Sequence, residues 1–416
     1  VTYAIAKSDI LIKGENPDLI RGGEKSHALA STLSNDQFFG EVFDYGISNP
    51  PYGVDWKKDK DAVENEASRG YAGRFGAGTP RISDGQLLFL QHLISKMKNV
   101  SDGGSRIGIV HNGSPLFTGD AGSGESEIRR WIIEKDLLET IIALPDQLFY
   151  NTGINTYLWF VTNRKSKERK GKIQLIDARS YYKKMRKSLG NKRHEIDKEH
   201  QKKILELYNS FEENEFSKIF NNTDFAYRQI QVERPLRLSF NFAPEKIESV
   251  KSTLEEDKKN KEFLPLLEAF KGEKYNDREM FLEVFDKKAK ELKLGKLSAT
   301  FIKKFTSLTG DKDENAKICY DANGKPEADP ELRDFENVPY DMDVNEYFKK
   351  EVLPYVPDAW INESVKDHKD GKIGIVGYEI PFTRHFYKYV APRDLEVIEA
   401  DIEKVENELL TLLKQL

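Results

Sequence analysis

Apolar positions in the first half of the chain fall into short dense runs separated by stretches of helical spacing. Val42-Phe43-Asp44-Tyr45-Gly46-Ile47 reads as a buried strand. Gly85-Gln86-Leu87-Leu88-Phe89-Leu90-Gln91-His92-Leu93-Ile94-Ser95-Lys96-Met97 carries apolar residues at helical steps, and Ser101-Asp102-Gly103-Gly104 follows as a turn. Arg106-Ile107-Gly108-Ile109-Val110 is then a short buried strand. A glycine-rich loop, a helix over 127–135, a strand over 140–144 and a strong β run, Thr156-Tyr157-Leu158-Trp159-Phe160-Val161-Thr162, complete the series. Strands alternating with helices predict an α/β domain with a mostly parallel sheet covered on both faces.

The rest of the chain has a different texture. Residues 209–312 are rich in Glu and Lys with scattered Phe and Leu, which predicts solvated helices and connectors, and no internal repeat is visible. After Pro392 the residues Leu395, Ile398, Ile402, Val405, Leu409, Leu412 and Leu416 alternate steps of three and four, a heptad seam. Glu396, Glu399, Glu403, Lys404, Glu406 and Lys414 lie between them as a charged outer surface. Such a helix packs on its own chain or on the helices of a partner. The expected organisation is an α/β domain over 1–180, a charged, mainly helical extension over 181–330, and a helical tail for association over 331–416.

Composition narrows the function classes. At 416 residues the chain can hold two or three cored domains, and a net charge of -5 with pI near 6.0 argues against a free-standing DNA binder. Contact with nucleic acid must then be local or delegated. The local candidate is the stretch 164–203, where basic residues outnumber acidic ones about three to one, and where Lys183, Lys184, Arg186 and Lys187 follow Tyr181 and Tyr182. It either tracks phosphates or is a solvated helix face. One cysteine, Cys319, excludes an internal disulfide and fits a reducing, cytoplasmic setting, and the seven histidines show no metal-ligand spacing. No apolar stretch approaches the ~20 residues of a membrane span, so no membrane partner is expected.

The chemistry concentrates at Asn49-Pro50-Pro51-Tyr52, directly after the first strand. Ligands of open α/β sheets bind beyond the carboxyl ends of strands. Two prolines fix their own φ and restrict the residue before each, so the turn is rigid. It offers two acceptors, the Asn49 side-chain carbonyl and the Pro50 main-chain carbonyl, and neither proline adds a competing N–H. That pair suits a planar NH2 group such as the exocyclic amine of adenine, whose lone pair is delocalised until acceptors on its hydrogens favour pyramidal geometry. Tyr52 offers a face for an extruded base, a contact worth about 1–3 kcal/mol against a flipping cost of a few kcal/mol. The plain alternative is a Pro-Pro turn closing a strand, with Tyr52 as packing.

Asn-Pro-Pro-Tyr resembles the catalytic motif of amino-methyltransferases that use S-adenosylmethionine, a group spanning adenine-N6 DNA enzymes and glutamine enzymes acting on release factors. Residues 1–179 further resemble the catalytic half of the modification (M) subunit of type I restriction enzymes. The matching stretches are Ser48-Asn49-Pro50-Pro51-Tyr52-Gly53, Leu88-Phe89-Leu90-Gln91-His92, Arg106-Ile107-Gly108-Ile109-Val110 and Ala143-Leu144-Pro145-Asp146-Gln147-Leu148-Phe149-Tyr150-Asn151-Thr152-Gly153-Ile154. Similarity returns at Gly377-Tyr378-Glu379-Ile380-Pro381-Phe382-Thr383-Arg384-His385-Phe386-Tyr387, with the middle weakly matched. The resemblance implies a Rossmann-like methyltransferase sheet and methyl transfer to the N6 amine of a flipped adenine in DNA. It implies as partners DNA, a specificity subunit that reads the sequence and pairs with the C-terminal helix, a second modification subunit and a restriction subunit.

By the same resemblance Asn49 and Pro50 orient the amine, with Pro51 completing the motif, Tyr52 stacks on the base, and Asn49 also faces the cofactor. Phe149 falls where related enzymes place a second aromatic on the other face of the base, though a Phe after a strand is equally a core residue. Phe89 corresponds to a residue lining the cofactor's adenine pocket, though a helix Phe is commonly core. The glycine-rich first cofactor motif and the acidic ribose-binding residue should precede the motif strand and are absent. Val1-Thr2-Tyr3-Ala4-Ile5-Ala6-Lys7 resembles the helix after that acidic residue, so the sheet is expected to be incomplete on its N-terminal side, with the main cofactor loop upstream of residue 1 and the isolated piece inactive. Near Ser31, in Gly22-Gly23-Glu24-Lys25-Ser26-His27-Ala28-Leu29-Ala30-Ser31-Thr32-Leu33, relatives carry an Asp for the cofactor adenine and this chain does not.

Two further glycine-rich segments stand out. Gly119-Asp120-Ala121-Gly122-Ser123-Gly124 precedes a helix but lacks a following Lys-Ser or Lys-Thr pair, so a mobile loop near DNA is expected in place of a phosphate cradle. Gly73-Arg74-Phe75-Gly76-Ala77-Gly78-Thr79-Pro80-Arg81 can form a lid whose Arg74 and Arg81 meet phosphates, or a flexible solvated loop. A glutamine-N5 methyltransferase acting on protein, and a truncated non-catalytic scaffold of the restriction assembly, are the alternative functions.

Overall fold

The structure, a computed structural model, describes residues 2–22, 31–150, 152–255, 263–294, 297–389, 391, 392 and 394–414. Contacts group the chain into two units, one of residues 1–119, 123–225 and 379–416 and the other of residues 120–122 and 226–378.

The first unit runs α1 (Thr2–Ile12), β1 (Tyr45–Ser48), α2 (Lys60–Ala67), α3 (Gln86–Ile94), β2 (Arg106–Asn112), α4 (Ser114–Phe117), α5 (Gly124–Glu134), β3 (Leu138–Ala143), β4 (Thr156–Thr162), β5 (Lys172–Asp177), β6 (Lys183–Leu189), β7 (Lys192–Glu195), α6 (Lys198–Ser210) and β8 (Ser217–Asn221). Six strands form one sheet in the order β1-β2-β4-β3-β5-β8. Its centre is dry: β3 is buried at every position, and Ile107, Ile109, Trp159, Val161, Ile173 and Leu175 pack around it. The expected α/β class holds, but the sheet is mixed. β1, β2, β3 and β5 run one way, whereas β4 and β8 are antiparallel to every neighbour. The cause lies in residues 144–155, which join β3 to β4 without a helix and so return the chain beside the strand it has just left.

β1 corrects a second expectation. It starts at Tyr45 rather than Val42 and, among the described residues, pairs only with β2. Ile47 is 90% exposed and Tyr45 68%. The apolar run is therefore an edge strand and not a buried one. Helix α3 ends at Ile94 because the Lys96 carbonyl accepts from Phe43 N–H at 2.9 Å and the Lys96 ammonium turns to Asp36 and the Phe38 carbonyl.

In the second unit β9 (Ala226–Glu233), β10 (Leu238–Asn241), α7 (Pro244–Glu255), α8 (Phe263–Ala269), β11 (Lys274–Tyr275), α9 (Arg278–Glu291), α10 (Ala299–Thr309), β12 (Gly310–Lys312), β13 (Asp334–Pro339), α11 (Val344–Tyr347), a π-helical turn (Phe348–Val352), β14 (Trp360–Ile361) and β15 (Ile375–Tyr378) follow in order. β9 is the hub, pairing antiparallel with β13, β14 and β15. The helices expected over 209–312 are present, with solvent-facing Glu and Lys positions, but their apolar faces also build a core. Phe240, Phe242, Phe270, Phe281, Phe285 and Phe305 close into one buried cluster, with Phe281 and Phe285 one helical turn apart on α9. Strands also accompany the helices. The first unit extends to Phe225 because β8 pairs with β5, and it resumes at Glu379 with α12 (Phe382–His385) and α13 (Leu395–Leu413).

Candidate active site at the end of the motif strand

The Asn49-Pro50-Pro51-Tyr52 turn leaves the carboxyl end of β1 with Asn49 and Pro51 exposed, Tyr52 partly buried and Pro50 buried. The Tyr52 hydroxyl donates to the Asn49 carboxamide oxygen. Partial burial pushes the Tyr52 phenol up to about 12, so at neutral pH it remains a donor. Asn49 is thus solvent-facing, and its oxygen is already engaged by the Tyr52 hydroxyl.

Downstream the chain is tied down. Trp56 is buried, its indole N–H donates to the Arg81 carbonyl at 2.9 Å, Trp56 N–H bonds the Ile82 carbonyl at 3.1 Å, and Gly85 N–H bonds Val54 at 3.3 Å. These bonds hold residues 81–85 against the segment after the motif. There the structure assembles a polar network that sequence reasoning missed. Gln86 donates to both Asp84 oxygens at 2.9 Å and to the Asn112 oxygen at 3.0 Å, and its own oxygen accepts from Asn112 N–H at 3.0 Å. Asn112 ends β2, the strand beside β1, and also caps Ser114 N–H at 3.0 Å. Asp84 and Gln86 are buried, so this polar floor lies one strand from Asn49. A polar Asp-Gly-Gln start on an otherwise apolar helix was the available signal.

Arg81 is half exposed, donates to Ser114 Oγ at 3.1 Å and lies 4.0 Å from Asp84, at the edge of that network. Arg74 departs from expectation. It donates to Glu66, to the Thr32 and Leu33 carbonyls at 2.8 Å each, and to His92 Nδ1 at 2.9 Å, which leaves no guanidinium N–H for a phosphate. Burial raises the Glu66 carboxyl, but hydrogen bonds and charge from Arg74 outweigh it and hold the group below the usual range. Burial, then the Arg74 charge, lowers His92 to about 4, consistent with a neutral ring accepting from arginine.

Nor is the surrounding loop an open lid. A Cβ on Gly124 would sit 1.7 Å from the Thr79 carbonyl, and one on Gly78, at φ +147, would meet the Gly124 carbonyl at 2.9 Å. The two glycine-rich segments are glycine-rich at these positions because their backbones touch. Ser123 caps α5, and the Glu125 carboxylate in its first turn accepts from Arg81 N–H at 2.8 Å, so that helix end is already served by an anion.

Phe149 is partly buried against Ile142, Leu144, Ile176 and Ala178, and Phe89 packs on the cluster of Leu33, Trp56, Val63, Phe75 and Leu88. Both thus pack against buried clusters. Phe149 nonetheless follows β3, which runs parallel to β1, so both turns emerge at the same end of the sheet. Lys183, Lys184, Arg186 and Lys187 lie on a β-hairpin and not on a helix, all four exposed, and among the described residues none makes an ion pair. Residues 23–30 and Asn151, parts of two matched stretches, lie outside the described residues. Among the described residues no group of three His, Cys, Asp or Glu side chains could hold a metal, and no helix is long and apolar enough to cross a membrane. For S-adenosylmethionine the fit is partial: Asn49 is solvent-facing with its oxygen bonded to Tyr52, Phe89 is packed, and the described residues bring no glycine cradle beside it.

The sequence profile of the family described as N-6 DNA Methylase matches residues 1–235, more than half of the chain. The chain belongs to the N-6 DNA methylase family. Among curated relatives it is 28% identical over 226 residues to the type I restriction enzyme MjaIX methylase subunit of Methanocaldococcus jannaschii, covering 54% of this chain and 37% of that protein. It is 30% identical over 179 residues to the HindI methylase subunit of Haemophilus influenzae, covering 43% and 35%. The chain thus spans little more than a third of these relatives' length. Among solved structures, the type I restriction-modification methyltransferase subunit from Streptococcus thermophilus is similar at 26% identity and a TM-score of 0.39, over 47% of this chain and 38% of that one.

Proposed function

We propose that this member of the N-6 DNA methylase family is the part of a type I restriction-modification methylase subunit that holds a flipped adenine for methylation at N6. The observation that carries the reading is the solvent-facing Asn49 carboxamide at the tip of β1, bonded to the Tyr52 hydroxyl. S-adenosylmethionine, when bound, supplies the electrophilic methyl group. What this chain's residues do is orient. The Asn49 oxygen and the Pro50 carbonyl accept from the adenine amine, and Tyr52 yields its bond to Asn49 and lays its ring on the base. No base catalyst is needed, because a methylated ammonium loses its proton readily to solvent, so positioning is the main contribution.

The C-terminal helix supports a subunit role. On α13 Leu395, Ile402, Val405 and Leu409 are each more than half exposed, so the heptad seam is not spent on this chain's own body. Leu416 and the side chain of Leu412 lie outside the described residues. In this reading α13 pairs with helices of the specificity subunit, which carries target recognition, within a complex that also holds a second modification subunit and a restriction subunit. The test is incorporation of labelled methyl into target duplex by the assembled complex. Asn49→Ala is expected to abolish it, and wild-type incorporation would refute the assignment.

A further inference from the structure

The hairpin of β6 and β7 turns at Gly190, whose φ of +61 fits a tight two-residue connection, and its seven-residue strand spans roughly 20 Å. Lys183, Lys184, Arg186 and Lys187 are exposed along it, and Glu195 is the only carboxylate in the two strands. No third strand covers this ribbon among the described residues. Its root is fixed in a specific place. The Gln147 carbonyl accepts from both Arg193 N–H at 2.9 Å and His194 N–H at 3.2 Å. The buried His194 ring meets Asp146 through Nδ1, 2.9 Å from its carbonyl and 3.0 Å from its carboxylate, and packs on Tyr182 at 3.8 Å between centroids. Lys192 lies over the Tyr150 ring at 5.3 Å. Apart from the Tyr182 contact, these ties fall on residues 146–150, the segment that carries Phe149.

We infer that the β6–β7 hairpin is a ribbon binding the phosphate backbone of duplex DNA, with His194 as the positioning residue that transmits this engagement to residues 146–150. The charge suits a polyanion, and the attachment puts the ribbon on the turn at the same sheet end as Asn49. The inference rests on the DNA methylase reading and adds to it a backbone-binding element and a route from backbone to base clamp.

Hydrogen exchange of the 416-residue chain, with and without a 20-base-pair duplex at low salt, tests it. Duplex is expected to slow exchange in residues 183–195 and in 146–150. Replacing Lys183, Lys184, Arg186 and Lys187 by Gln, all surface changes, should remove both effects and lower the slope of log affinity against log salt by about 3–4. His194→Ala should keep the hairpin effect and lose the effect on 146–150. Absence of hairpin protection in the wild type, protection by polyglutamate but not by duplex, or unchanged protection of 146–150 in His194→Ala would each overturn it. If Asn49→Ala kept full methyl transfer, the adenine reading would fall and these exchange results would stand.

Discussion

His111 makes the stability of the first unit depend on pH in a way that can be worked out beforehand. It points inward from β2, is fully buried, and among the described residues has no hydrogen-bond partner on either ring nitrogen, with Trp159 edge-on at 5.3 Å. Burial lowers its pKa from the ordinary 6.5 to about 3. A histidine whose folded pKa is depressed stays neutral in the native state while the unfolded chain takes up a proton. Its contribution is therefore intact above pH 6.5 and is lost as pH falls towards 3. At pH 5 the loss is about 2 kcal/mol relative to pH 8. His92, lowered to about 4 by burial and Arg74, adds a similar loss of about 2 kcal/mol over the same interval. His111→Leu removes one of the two. Urea unfolding followed by tryptophan fluorescence at pH 8 and pH 5 measures the difference within each protein, so the packing cost of the substitution cancels. The pH-dependent loss should be smaller by about 2 kcal/mol in His111→Leu. An identical pH dependence in both proteins would show that His111 is protonated or solvated in the fold, and would refute the reasoning.

Other expectations are as direct. Tyr52→Phe keeps the ring and frees the Asn49 oxygen, so methyl transfer by the assembled complex should stay within a few-fold of wild type, whereas Tyr52→Ala should weaken binding of duplex with an extruded target base by about 1–3 kcal/mol. Gly124→Ala has no room beside the Thr79 carbonyl and should destabilise the first unit by about 1–3 kcal/mol in thermal unfolding. Arg74→Ala breaks a largely buried pair with Glu66 and should cost about 3 kcal/mol of stability while leaving the salt slope of DNA binding unchanged, which separates its structural role from a phosphate contact.

The sequence was most legible where periodicity and position coincide. β2, β4 and α3 fall within a few residues of the expected spans, and the motif turn stands at a strand end. Direction was not legible, because apolar density in Thr156–Thr162 is the same whichever way the strand runs and only the missing crossover helix decides it. Exposure was not legible from the apolar run alone, which reads as core, whereas the expectation of a sheet incomplete on its N-terminal side agrees with Ile47 lying on an edge strand. Arg74 shows why loop arginines mislead, since its partners Thr32, Glu66 and His92 are scattered along the chain and meet only in the fold. The basic stretch was correctly singled out for its charge, but its strand geometry hung on a Gly190-Asn191 turn between short, charge-rich strands with little apolar alternation.

Sheet order sets a demand on the proposed base clamp. Tyr52 follows β1 and Phe149 follows β3, with β2 and β4 between them, so the two strand axes lie three spacings, roughly 14 Å, apart. Two rings stacked on opposite faces of one base lie only about 7–8 Å apart. Closing that gap requires one turn to lean across, and the Tyr52 turn is stiffened by two prolines. In the proposed clamp the 146–150 segment is therefore the one that must shift, and Phe149 would give up packing against Ile142, Leu144, Ile176 and Ala178, a cost of about 1.5–3 kcal/mol at full exposure. Stacking at about 1–3 kcal/mol per base offsets that cost only when a base is present. In the proposed reading Phe149 stays on its core until duplex engages the ribbon tied at Gln147 and Asp146, and the second face of the clamp forms only around an extruded base.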